Sequence, residues 1–395
     1  MKNDANDIVI VAATRTAMGG LLGVFKDVTA TALGSRAIVG ALEQTFLKPE
    51  EMDSAFLGCV LPAGLGQAPA RQAALGASLP YSTSALTVNK MCGSGMAAVM
   101  LAHDALRVGS ANIAIAGGLE SMTRAPYLIP KARGGYRFGH AQIFDHMLLD
   151  GLEDAYEKGI SMGVFAERCA SDYGFSREVQ DEFALRSLMR AKKATDDGTF
   201  AREITPFLIQ SSGIETKIDQ DENVLRAQPD KIPHLKPAFK PDGTITAANS
   251  SSISDGAAAL ILMRRGDAEQ RQLKILARIV GHTTHGEKPD KFPIAPIGAI
   301  KKLYEKTGWD PKSVDLYEIN EAFAVVTLAA MNDLKLGADQ VNIHGGACVL
   351  GHPIGASGAR ILVTLLNALH THKLKRGIAS LCIGGGEATA MGIEI

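Results

Sequence analysis

Short apolar runs recur along this chain and alternate with longer stretches in which apolar residues return at helical spacing. The run at 8–13 (IVIVAA) reads as a strand and 31–44 as a helix. DSAFLGCVL, from Asp53, carries a second strand signal. A glycine-rich turn then opens the helix CGSGMAAVMLAHDAL at Cys92, and ANIAIAGG, from Ala111, is a buried strand. The same order returns later. KILARIVG, from Lys274, is a strand, 297–307 a helix, and VDLYEINEAF, from Val314, a strand. A glycine-rich turn leads into the helix GHPIGASGARILVTLL at Gly351, and GIASLCIGGG, from Gly377, is a buried strand. Short apolar strands interleaved with helices of about 10–15 residues predict α/β layers.

Five like elements in one order predict an internal duplication. Equivalent helix N-termini and strand ends would then meet across a pseudo-twofold axis. The expected divisions are an N-terminal half over 1–121, completed by about 249–272, an inserted loop domain over 122–248, and a C-terminal half over 273–395. In the insert, Val179, Phe183, Leu185, Leu188 and Met189 fall near helical spacing and are expected to pack inward.

Composition narrows the class. A chain of 395 residues with 46% hydrophobic and 21% charged residues fits a soluble globular protein with two or three domains' worth of core. The net charge of −1 supplies no bulk attraction to nucleic acid or an acidic membrane. The 8–13 run is too short for a signal-peptide core, and no run of about 18 apolar residues exists, so a cytoplasmic location is expected. Cys59, Cys92, Cys169, Cys348 and Cys382 are few and odd in number, which fits free thiols in a reducing compartment. No C-x-x-C pair exists, and no metal site is expected.

Several residues carry chemistry in their surroundings. Cys92 precedes two glycines and a helix, whose positive end and free amides favour a thiolate below the ordinary pKa of ~8.5. His352, before Pro353, is held out of helical geometry and aimed from a glycine turn, as a base or an oxyanion donor requires. Cys382 ends an apolar strand before three glycines whose amides can stabilise an oxyanion. Taken alone it reads as readily as a buried structural thiol. Asn320 opens NEAFAVV and reads as a helix N-cap, as a holder of a water or carbonyl, or as both. His103, His282, His285 and His344 read as structural or surface residues.

NKMCGSGMAAV, NEAFA, GGACVLGHPIGASGAR and CIGGG, in this order, resemble the motifs of the thiolase family over nearly the whole chain. The resemblance implies the thiolase fold, two βαβαβαββ halves in a five-layer αβαβα arrangement with an inserted loop domain. It implies an acetyl-CoA acetyltransferase in which Cys92 is acylated, His352 activates it, and Cys382 moves the α-proton. His352 and a water on Asn320 would form one oxyanion hole, and the amides of Cys92 and Gly384 another. No tightly bound cofactor is implied. Coenzyme A enters as substrate, with Ser251, Met162, Ala322 and Phe323 along the pantetheine and Arg226 near the adenine or phosphate end. A homo-oligomer is implied, and the loop around 129–140 points to a tetramer. The chain departs from many acetoacetyl-CoA-forming members at Ser161, where they have histidine, and near Phe292, where they have methionine. A broader 3-ketoacyl-CoA thiolase is therefore the nearest alternative, and a non-catalytic acyl-CoA-binding relative a distant one.

Overall fold

The computed structural model describes residues 4–211 and 213–395, and its main sheet runs through both halves of the chain. The strand Ile8–Arg15 pairs with Ser254–Arg264, followed outward by Ile113–Ser121, Ser54–Gly58 and the edge strand Ser84–Val88. On its other side it meets Ala277–Gly286, followed by Glu387–Glu394, Arg376–Ile383 and Leu316–Ile319. Each half reads alike from this junction. An opening strand is followed by two antiparallel neighbours and then a parallel one. The junction is antiparallel, with Val9 opposite Arg278 and Ile10 opposite Ala277, as a twofold relation between the halves requires.

Helices complete five layers. Ala30–Glu43 and Pro69–Gly76 cover the outer face of the first half, and Ala295–Thr307 with Ala324–Leu334 the outer face of the second. Ser94–Val108 and Ile354–His372 pack against each other between the two halves. Met96, Val99 and Leu106 of one, with Ile361, Leu362 and Leu366 of the other, share a core with Leu260, Leu381 and Met391 from both sheet halves. Sheet on both sides buries Ile354–His372 almost throughout, and its polar positions Ser357, Arg360, Thr364 and Asn367 each find a hydrogen-bond partner. Each fully buried Leu or Ile there stabilises the fold by about 1.5–3 kcal/mol relative to exposure.

The two central helices touch backbone to backbone at their first turns. A Cβ on Gly358 would lie 2.3 Å from the Met96 nitrogen, and one on Gly95 2.8 Å from the Ala359 nitrogen. That contact sets the starts of the two helices side by side, and with them the residues just before each.

The insert is moored to the first half by buried charge. The Arg15 guanidinium donates to Glu203 Oε1 at 2.6 Å and to both Asp221 oxygens at 2.7 and 2.9 Å. Within the insert, the helix Arg177–Asp196 corrects one expectation. Phe183 and Leu188 are buried, but Val179, Leu185 and Met189 are exposed. The inward face is made instead by Gln180, Asp181, Ala184, Ser187, Ala191 and Ala194. Polar members of that face find partners. Asp181 accepts from Arg177 and Asn249, and the Ser187 hydroxyl donates to Glu321. Hydrogen-bonded polar groups can be buried at little cost, so apolar spacing alone misread the face.

Candidate active site

Cys92 stands just ahead of Gly93, the N-cap of Ser94–Val108. Met91 before it adopts the left-handed region (φ 47°), a conformation that costs a non-glycine residue about 1–2 kcal/mol. A local net holds it there. The Met91 amide donates to Asn89 Oδ1 (3.0 Å), the Lys90 amide to Ser94 Oγ (2.8 Å), and the Ser94 hydroxyl to the Met91 carbonyl (2.6 Å). The backbone amides of Gly384 and of Cys92 itself favour the Cys92 thiolate. Burial nevertheless pushes the thiol pKa up, and Glu120 adds to that, so the helix terminus does not produce the lowered pKa expected from sequence.

His352 is fixed through its backbone, whose amide donates to the Ser252 carbonyl at 3.1 Å. The Ser357 hydroxyl donates to the Pro353 carbonyl at 2.9 Å, which uses its one proton. His352 Nδ1, 2.5 Å from Ser357 Oγ, is therefore the donor of that pair, and Nε2 keeps its lone pair. Burial, and secondarily the Arg360 charge, lowers the imidazole pKa to about 3. Cys92 therefore rests as a thiol and His352 as a neutral base.

Asn320 closes the strand Leu316–Ile319, and its amide donates to the Ser380 carbonyl at 3.0 Å. It is not a helix cap, because the next helix is capped by Phe323. Its Nδ2 is 3.5 Å from both His352 ring nitrogens, which places the amide over the ring face. Its Oδ1 accepts from Arg360 at 3.4 Å, and Arg360 in turn donates to Glu318 at 3.0 Å. Cys382 is fully buried near the end of Arg376–Ile383, and burial, then the nearby Cys92, pushes its thiol pKa well up.

A single cavity of about 390 Å³ is lined by Cys92, His352, Cys382 and Gly384, and also by Ser251, Met162, Ala322 and Phe323. Asn320 stands behind His352 rather than on the wall. Arg226 is elsewhere. It lines a second cavity, with Gln228 and Lys231, that shares only Ala247 and Ser252 with the first. Its side chain is 64% exposed and is paired with Glu222 at 2.6 Å.

Residues 8–266 match the family described as thiolase, N-terminal domain, and residues 273–395 match thiolase, C-terminal domain. The chain belongs to the thiolase family. Curated relatives agree along their whole length. An acetyl-CoA acetyltransferase of Chromobacterium violaceum is 47% identical over 98% of this chain and 99% of its own. One of Cupriavidus necator is 45% identical over 98% and 99%. Acetyl-CoA acetyltransferase 1 of Arabidopsis thaliana is 46% identical over 98% and 94%.

Sequence reasoning missed several residues that shape this thiolase's site. Ser357 sets the His352 tautomer. Glu120 accepts from the amides of Val60 (2.9 Å), Leu61 (3.2 Å) and Gly355 (2.9 Å), and burial raises its pKa to about 7. It thereby ties the loop at residue 60 to Gly355 in the first turn of Ile354–His372, close after His352. Arg360 and Glu318 were open to detection. A lone arginine in an apolar helix and a lone glutamate in an apolar strand are each rare unless paired.

Proposed function

We propose that this thiolase is an acetyl-CoA acetyltransferase, joining two acetyl-CoA into acetoacetyl-CoA and coenzyme A and running the same reaction in reverse. The observation that carries this reading is the shared cavity. Two sulfurs and one neutral imidazole line it, together with Gly384, whose amide favours the Cys92 thiolate. Close relatives at 45–47% identity bear that activity in their names.

The proton inventory closes without outside help. His352 Nε2 takes the Cys92 proton, and the thiolate attacks the acetyl carbonyl. The tetrahedral oxyanion is met by the Cys92 and Gly384 amides. Collapse expels the coenzyme A thiolate, which takes the proton back from His352. In the second half, Cys382 passes its proton to Nε2 and, as thiolate, removes the α-proton of a second acetyl-CoA. The imidazolium faces the enolate oxygen, with a water held by Asn320 as the second donor. The enolate carbon attacks the Cys92 thioester, a C–C bond forms, and the departing Cys92 sulfur recovers the proton from His352. One sulfur must stay acylated while the other handles the proton, hence two cysteines.

Coenzyme A enters as a substrate rather than as a tightly held cofactor. Ser251, Met162, Ala322 and Phe323 line the pantetheine path, and the second cavity, with Arg226 and Lys231, receives the phosphate end. Phe292 also lines the cavity, its ring edge-on to Phe323 with centroids 6.5 Å apart. Ser161 on the wall keeps a second reading open, a thiolase of longer 3-ketoacyl-CoA. Cleavage rates on acetoacetyl-CoA and 3-ketohexadecanoyl-CoA separate the two, and preference for the long substrate rejects the first. Cys382→Ala is expected to form the Cys92 acyl-enzyme while losing about 10²–10⁴-fold in carbon–carbon bond formation. Mass spectrometry of the quenched enzyme and a turnover assay read the two steps. Equal loss of both would refute the division of labour between the cysteines.

The assembly we infer is a tetramer in the cytoplasm. Ile129, Phe138 and Ile143 are exposed on the insert loop, and the five cysteines are free. No helix among the described residues is long and apolar enough to cross a membrane. Light scattering tests the oligomer.

A further inference from the structure

Far from the cavity, three side chains from two halves of the fold converge. His103 and Asp104 lie on the helix Ser94–Val108, and His282 on the strand Ala277–Gly286. His103 Nδ1 is 2.9 Å from Asp104 Oδ1, His282 Nε2 is 3.1 Å from the same oxygen, and the two ring nitrogens are 3.3 Å apart. The helix carries His103 about 16 Å beyond Cys92, at 1.5 Å per residue, so the cluster is separate from the acyl-transfer site.

We propose that His103, Asp104 and His282 bind one divalent ion of the zinc class. A tetrahedral ion with ligand bonds of ~2.0–2.1 Å sets its donor atoms about 3.3 Å apart. The triangle here has edges of 2.9, 3.1 and 3.3 Å, so an ion is accommodated with an opening of a few tenths of an ångström. The imidazole planes are nearly perpendicular, at 85°, so the lone pairs can converge from different directions. Both histidines are mostly buried, with side chains 16% and 13% exposed, while Asp104 is 60% exposed. The fourth position therefore opens to water on the carboxylate side.

Two imidazoles and a carboxylate suit zinc, and copper or nickel more tightly than manganese. They do not suit magnesium, which takes oxygen donors. Arg107 and Lys306 are the cationic neighbours, and the Lys306 ammonium donates to the His282 carbonyl. They oppose a cation, and the Asp104 carboxylate that both rings contact offsets them. Absence of a cysteine pair in the sequence does not bear on such a site. Its consequence is mechanical, because one ion would fasten the nucleophile's helix to the opening strand of the other half.

The test uses the full-length oligomer with Cys92 alkylated by iodoacetamide, titrated with zinc against a chromogenic chelator. One ion per chain is expected, weakened in either His282→Gln or Asp104→Asn by more than the ~10–100-fold that loss of an outer-shell partner costs, with unchanged turnover in the unalkylated variants. Cobalt substitution should give visible tetrahedral bands without the near-ultraviolet band of a thiolate ligand. Zinc should also raise the melting temperature of the parent and not of His282→Gln. Binding that survives in both variants, a thiolate band, or no saturable uptake below about 1 mM would overturn the proposal and leave three groups sharing protons only.

Discussion

Ser357 shows how much of the chemistry rests on one hydroxyl. By accepting from Nδ1 it leaves Nε2 free, a choice that the Asn320 amide, equidistant from both ring nitrogens, does not make. Ser357→Ala is expected to lower kcat roughly tenfold or more, a part of the ~10²–10⁴ a general base supplies, with little change in KM. Steady-state kinetics checks this, and an unaltered kcat would remove Ser357 from the positioning set. Cys92 and His352 stood out because each precedes a helix at a glycine turn, whereas Cys382 alone read as a structural thiol and was singled out only by the resemblance. Ser357 did not stand out, since a serine inside GASGAR looks like helix packing. The acidity of Cys92 was misread for a related reason. A sequence displays the helix start but not the desolvation that outweighs it.

At the scale of elements, the crossing of the two central helices decides whether the site assembles. Gly358→Ala would drive a methyl into the Met96 backbone, and overpacking of that kind costs about 1–3 kcal/mol. A lower melting temperature with a disproportionate loss of turnover is expected, because the first turns that carry Cys92 and His352 are pushed apart. Loss of stability alone would show that the crossing has slack. Arg360→Met strands Glu318 in the core, and breaking a buried pair in this way costs about 3–5 kcal/mol. Chemical or thermal melts of Arg360→Met and of Arg360→Met with Glu318→Gln measure it, and the double variant should recover most of the loss. Strand and helix order was readable because apolar period and glycine punctuation agree in both repeats. The inward face of the helix Arg177–Asp196 was not, because it is built largely from alanine and bonded polar groups that carry no apolar period.

For the whole molecule, buried ionisable groups shape stability against pH. His352 and His344 are lowered to about 3 and about 4 from 6.5, chiefly by burial. The unfolded chain binds more protons between those values, so their contribution is complete above 6.5 and fades as pH falls toward 3–4. Glu120 and Glu318 are raised from 4.5 to about 7 and about 8, again chiefly by burial. Their contribution is complete below 4.5 and is lost as pH rises through 7–8. The melting temperature should therefore peak broadly near pH 4.5–6.5 and decline on both sides. Glu120→Gln should flatten the alkaline decline, and an identical slope in that variant would show that Glu120 does not titrate there. Scanning fluorimetry from pH 4 to 9 reads both.

The strand Ser254–Arg264 sits between Ile8–Arg15 and Ile113–Ser121 in space but follows the whole insert in sequence. During synthesis, well over a hundred residues must leave the ribosome before those two earlier strands have anything between them. Until then each presents an unpaired, apolar edge of the kind that recruits other chains. A newborn molecule of this enzyme is thus most vulnerable to aggregation midway through translation, and chaperone capture should concentrate in that interval.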